Sequence, residues 1–121
     1  MDDKMLRGIR GATVARENNK EEIVIRTEEL LKEMMSANDI IIEDISSVLF
    51  SLTNDLNAEF PAVAARNLGW IDVPLICFTE IPVPGSLNKC IRIMINLNTV
   101  KSQNQIKHIY LYEATGLRPD K

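Results

Sequence analysis

Residues 73–97 hold two β-prone runs separated by chain breakers, and no other stretch limits the possible folds as tightly. The first run, Val73-Pro74-Leu75-Ile76-Cys77-Phe78-Thr79-Glu80, is apolar on both faces until it ends on a carboxylate. The second alternates, with Ile91, Ile93, Ile95 and Leu97 on one face and Cys90, Arg92, Met94 and Asn96 on the other. Arg92 is therefore a cation inside an apolar strand. Leaving such a charge buried and unpaired costs on the order of several kcal/mol, so it requires a structural partner or an anionic ligand. Pro82, Pro84 and Gly85 interrupt the two runs and can bring Glu80 back toward Arg92. On this stretch alone, a Glu80–Arg92 ion pair pinning two strands is the simpler reading.

The 121 residues make one domain, 1–121, long enough to bury roughly two thirds of the unfolded chain's surface. A net charge of -3 gives no electrostatic footprint for nucleic acid or an anionic membrane. Met1-Asp2-Asp3-Lys4 is followed by no apolar leader, and no apolar run reaches membrane-spanning length, so a soluble cytoplasmic protein is expected. In that compartment Cys77 and Cys90 are reduced. They lack CxxC spacing and the chain has a single histidine, His108, so no metal site is expected. Buried small apolar residues are the plain reading of both cysteines.

Met5 to Thr13 reads as the first strand, with Leu6, Gly8, Arg10 and Ala12 on one face. The small residues Gly8 and Ala12 leave a recess around the Arg10 guanidinium. Asn19 and Glu22 have the spacing of a capping box opening a helix from about Lys20 to Ala37, whose stripe is Ile23, Thr27, Leu30, Leu31 and Met34. A strand from Ile45 to Thr53 sets Val48, Phe50 and Leu52 against Ser47 and Ser51. Phe60-Pro61 starts a short helix, Gly69 stops it, and Trp70 packs the turn. Gln105 to Tyr112 reads as the last strand, with His108, Tyr110 and Tyr112 on one face, and residues 113–121 as a flexible tail. The fold class is α+β, a mostly antiparallel sheet covered by one long helix. Its second apolar face needs a cover, and self-association in a cyclic oligomer supplies one.

The chemistry-bearing motifs are conspicuous by omission: there is no GxSxG, HExxH, Walker loop or GxGxxG. What remains is a set of arginines, Arg10, Arg66, Arg92 and Arg118, with Glu80 and Tyr110. That set suits a dianionic ligand and a reaction that needs charge stabilisation more than proton transfer.

The segments Arg7-Gly8-Ile9-Arg10-Gly11-Ala12-Thr13, Phe60-Pro61-Ala62, Cys77-Phe78-Thr79-Glu80, Lys89-Cys90-Ile91-Arg92, His108-Ile109-Tyr110-Leu111 and Leu117-Arg118-Pro119-Asp120 resemble, in order, the monofunctional AroH-type chorismate mutases. The resemblance implies a homotrimeric pseudo α/β barrel with active sites between subunits. It also implies the rearrangement of chorismate to prephenate on the route to phenylalanine and tyrosine, without cofactor or metal.

By position, Arg92 would stabilise the ether oxygen, Glu80 would accept from the ring hydroxyl, and Cys77 would contact the same region. Arg10 and Tyr110 would hold a carboxylate. Phe60, Ala62, Leu75 and Ile76 would form an apolar wall, with the backbone from Ile76 to Glu80, Phe78 and Thr79 included, lining the pocket. Arg66, Leu117 and Arg118 would sit at the mouth. Val63 stands where the family often has a lysine, and Arg66 or Lys101 are the residues that could compensate. Two other readings remain: a RidA-like imine or enamine deaminase, and a non-catalytic binder of aromatic-pathway carboxylates.

Overall fold

The computed structural model describes residues 3–117. Strand β1 (Met5–Val14) leads to helix α1 (Lys20–Asn38), strand β2 (Ile45–Leu52), helix α2 (Ala62–Asn67), strand β3 (Leu75–Thr79), strand β4 (Cys90–Thr99) and the short strand β5 (Ile109–Tyr110). The five strands form one sheet in the order β3-β2-β4-β1-β5.

The 19-residue α1 starts where the sequence places it. Asn19 sits in extended backbone and its Oδ1 accepts from the Glu22 N–H at 2.8 Å. The reciprocal half of the expected capping box goes elsewhere: Glu22 Oε1 accepts from the Arg16 N–H at 3.0 Å and from Arg26 Nε at 2.9 Å. Those donors, the Arg16 amide first, hold the Glu22 carboxyl below its ordinary pKa. Their contribution is therefore present above the unfolded-state value and is lost as the pH falls through the folded-state one. Asn19→Ala is expected to lower the unfolding free energy by about 1 kcal/mol with activity retained, read by denaturant titration.

The whole predicted stripe, Ile23, Thr27, Leu30, Leu31 and Met34, is buried. Leu30, Leu31 and Met34 pack with Ile9, Val48, Phe50, Ile93 and Ile95 of the sheet, and Ile23 joins a second cluster with Leu52, Leu56 and Ile91. Burying each large aliphatic side chain contributes about 1.5–3 kcal/mol, which fixes this face as the core. The helix lies so close to β1 that a Cβ on Gly11 would stand 2.5 Å from Met34 Sδ, so only glycine fits without displacing it. Gly69, at φ +88, ends the turn after α2 in a backbone region that side chains disfavour. Trp70 behind it is 1% exposed.

Two expectations change and a third is sharpened. The sheet is mixed: the long ladders of β4 with β1 and β2 are antiparallel, whereas β2–β3 and the short β1–β5 are parallel. The two runs of residues 73–97 are not neighbours, because β2 lies between them and β3 is an edge strand with Ile76 and Phe78 exposed. The last strand is only Ile109–Tyr110. Beyond it Tyr112 turns into left-handed backbone at φ 55 and crosses to the α1 side, where its hydroxyl donates to Glu29 and Arg26 lies 4.4 Å over its ring. Residues Tyr112–Leu117 then form a 3-10 helix with Ala114 buried, so regular structure runs past residue 112.

Candidate active site

Cross-strand partners point to the same face of a sheet, so register alone assembles the site. One row crosses all five strands: Phe78, Ser51, Arg92, Ala12 and Tyr110, each paired with the next. The adjacent row carries Ile76, Leu49, Met94 and Arg10. Both rows lie on the face opposite α1. Above them is a cleft of about 390 Å³ bordered by Arg10, Phe78, Thr79, Glu80, Arg92 and Tyr110. The recess expected beside Arg10 is only partly open, since Met94 Sδ closes over Gly8.

Arg92 shares this cleft with Arg10; its side chain is 47% exposed and its Nε stands 3.6 Å from Glu80 Oε2. The expected ion pair is thus present, but an exposed pair at this length is worth at most about 1 kcal/mol and yields readily to a better anion. Glu80 is held independently. Its N–H donates to the Leu52 carbonyl at 2.8 Å, and its Oε1 accepts from Ser51 Oγ at 2.5 Å. Arg10 projects from β1, whose backbone is fixed there by an N–H bond to His108 Nδ1 at 3.0 Å.

Several other residues implied by the resemblance do not border this cleft. Cys77 pairs with Phe50 and so faces the core side, as Leu75 does. Burial pushes the Cys77 thiol up, against the smaller opposing effects of the Ala62 backbone and Arg66, so it is a neutral thiol at neutral pH. It borders a second cleft of about 360 Å³ with Phe60 and Pro61, and Phe78 and Thr79 on the edge strand border both clefts. Phe60 is 67% exposed, whereas Ala62 is 4% exposed and packed inside. Arg66, in the last turn of α2, is exposed. Ile76 is exposed on the open face beside the first cleft, and Leu117 ends the 3-10 helix, half-buried. Arg118 lies outside the described residues.

Lys101 is tied down elsewhere, donating to the Asn38 carbonyl at 3.1 Å and standing 3.5 Å from Asp39. Ser51, Leu49 and Met94 also border the open-face cleft, and sequence reasoning missed them. Their signal was parity, since Ser51 must point away from Phe50, but parity is useful only once the strand order is known. Among the described residues no group of His, Cys, Asp and Glu side chains could hold a metal ion, and no helix is long and apolar enough to cross a membrane.

Residues 6–121 match the family model described as chorismate mutase type I. The chain is 46% identical over 117 residues to chorismate mutase AroH of Bacillus subtilis (strain 168), covering 96% of this chain and 92% of that protein. It is 47% identical over 117 residues to chorismate mutase AroH of Thermus thermophilus, covering 96% of each. The solved structure of a chorismate mutase from Clostridium thermocellum, Cth-682, superposes with a TM-score of 0.89 at 51% identity, covering 90% of this chain and 97% of that one.

Proposed function

Because the chain belongs to the chorismate mutase type I family, we propose that the open-face cleft carries out that family's isomerisation, the Claisen rearrangement of chorismate to prephenate in aromatic amino acid biosynthesis. The observation that carries this reading is the convergence of Arg10, Arg92, Glu80 and Tyr110 on one cleft whose remaining lining is mainly apolar.

The rearrangement is unimolecular. The ether C–O bond breaks as a C–C bond forms, and no proton, hydride or nucleophile is exchanged with the protein. Two tasks remain for the side chains. Arg10 and Tyr110 hold a carboxylate and so select the folded conformer in which the reacting carbons approach, an effect of orientation. Arg92 donates toward the ether oxygen, where negative charge grows as the C–O bond lengthens, and so favours the transition state over the ground state. Glu80, already fixed by Ser51 and the Leu52 carbonyl, accepts from the ring hydroxyl.

The placement of Cys77, Phe60 and Arg66 outside the open-face cleft supports a site shared between copies of the chain. In a homotrimer, the open face of one protomer meets the α2 side of the next, and Phe60 and Cys77 wall the substrate while Arg66 attracts the dianion at the mouth beside Leu117. The same packing covers the exposed apolar residues Leu6, Ile76 and Phe78. Two unpaired cysteines fit an enzyme of the reducing cytoplasm.

The direct test is to incubate the purified protein with chorismate, follow its loss in the ultraviolet and identify the product. Prephenate formation is expected. Tight prephenate binding without turnover would make the chain a binder, and release of ammonia from an imine would make it a deaminase, a reading that gains nothing from relatives named as chorismate mutases. Since no group must titrate in the chemical step and Cys77 stays a neutral thiol, kcat is expected to vary little between about pH 6 and 8. A steep bell in that range would require an acid–base pair instead.

A further inference from the structure

Glu80 and the entry of β4, the strand that carries Arg92, are both hydrogen-bonded to one short segment, residues 51–55, at the end of β2. Its first half holds Glu80, through Ser51 Oγ at 2.5 Å and the Leu52 carbonyl at 2.8 Å. Its second half holds the entry of β4. Asp55 accepts the Lys89 N–H on both carboxylate oxygens, at 3.1 and 3.0 Å. Its Oδ1 also accepts from Thr53 Oγ1 at 2.5 Å. That same hydroxyl oxygen accepts the Cys90 N–H at 2.9 Å, and the Thr53 N–H donates to the Cys90 carbonyl at 3.1 Å.

The residue so gripped is in an unusual backbone state. Lys89 has φ 49, left-handed backbone that a lysine adopts only when its surroundings impose it. Cys90 and Arg92 lie two apart on β4 and share a face, so the gripped start of the strand is one strand period from the residue that carries the guanidinium. Asp55 does not border the cleft over Arg92.

We propose that Asp55 is a positioning residue for the rearrangement, acting without contact to substrate by fixing Lys89 and, through the Thr53 hydroxyl, Cys90, so that Arg92 stands at a set distance from Glu80. This rests on the reading of the cleft as the site of rearrangement. Removing the carboxylate frees the Lys89 N–H and lets the Thr53 hydroxyl turn away from Cys90. The guanidinium then samples positions in which it misses the departing oxygen, a loss in kcat more than in binding.

The experiment measures kcat and KM for chorismate in Asp55→Ala, Asp55→Asn and Thr53→Val, each alone and combined with Arg92→Ala, well below the melting temperature of each variant. Asp55→Ala is expected to lower kcat about ten- to a hundredfold with KM within about threefold. Asp55→Asn, which keeps one acceptor oxygen, recovers part of that loss. On the Arg92→Ala background the same substitutions should change kcat by less than about twofold, because the group they position is gone. Equal losses with and without Arg92 would overturn the proposal, as would an unchanged kcat alongside a lowered melting temperature. If Asp55→Ala does not fold, Thr53→Val with and without Arg92→Ala decides by the same criterion. A wild-type chain that leaves chorismate unchanged would instead remove the functional reading, and this inference with it.

Discussion

Arg92→Ala is expected to lower kcat by about 10²–10³ or more while the protein keeps its fold and assembly. The reaction offers no other place for the protein to act on the breaking bond: a unimolecular rearrangement gives acid, base and nucleophile nothing to do, and the growing charge sits on one oxygen. The fold should tolerate the loss. The Arg92 side chain is 47% exposed, and Glu80 keeps its bond from Ser51 when its partner goes. Arg92→Lys should recover little of the rate, since a single ammonium cannot face Glu80 and the ether oxygen with the planar fork of a guanidinium. Steady-state kinetics, a thermal melt and a mass measurement on the same sample separate the effects. Wild-type turnover in Arg92→Ala would end the charge-stabilisation mechanism.

Two inactive variants are expected to restore each other. If each site joins the open face of one protomer to the α2 side of its neighbour, Arg92→Ala damages the first half and Phe60→Asp the second, by placing a carboxylate where the dianion must enter. Co-expressed in equal amounts, random closed rings pair an intact open face with an intact α2 side at about a quarter of their seams, and activity should return to about a quarter of wild type per site. The design depends on the two residues bordering separate clefts, Arg92 the open-face one and Phe60, 67% exposed, the one beside α2. Activity that stays at the sum of the separate variants would place the complete site within one chain.

Local elements were legible because their signals are local. The stripe from Ile23 to Met34 and the Asn19 cap located α1, and the alternation in β2 assigned Phe50 inward and Ser51 outward. Strand neighbours were not legible from periodicity, which says which way a side chain points but not what stands beside it. The breaker-rich loop after Glu80 invited a hairpin reading. Yet β2, α2 and β3 form a strand-helix-strand crossover, the connection that parallel neighbours require, and the short helix from Phe60-Pro61 was its signal. Parity failed at Tyr112 because one left-handed residue ends the strand and sends the ring to α1. Within the site, composition and the missing motifs narrowed the chemistry to an anion held by arginines. The roles of Arg92, Glu80, Arg10 and Tyr110 came from the resemblance, and the register shows why residues so far apart in sequence share one cleft.

The sheet order has a consequence for how the molecule comes into being. Met5 pairs with Thr99 and Val14 with Cys90, so the first strand leaves the ribosome long before its antiparallel partner exists. Until then α1 has only half a surface to lie on, and β2 lacks the strand that will separate it from β1. Loop closure over most of the chain must precede the pairing that rewards it, which puts this domain with the slower, non-local folders. Its nascent form, with apolar β-prone segments waiting for a late partner, is the state in which a cell's chaperones would meet it.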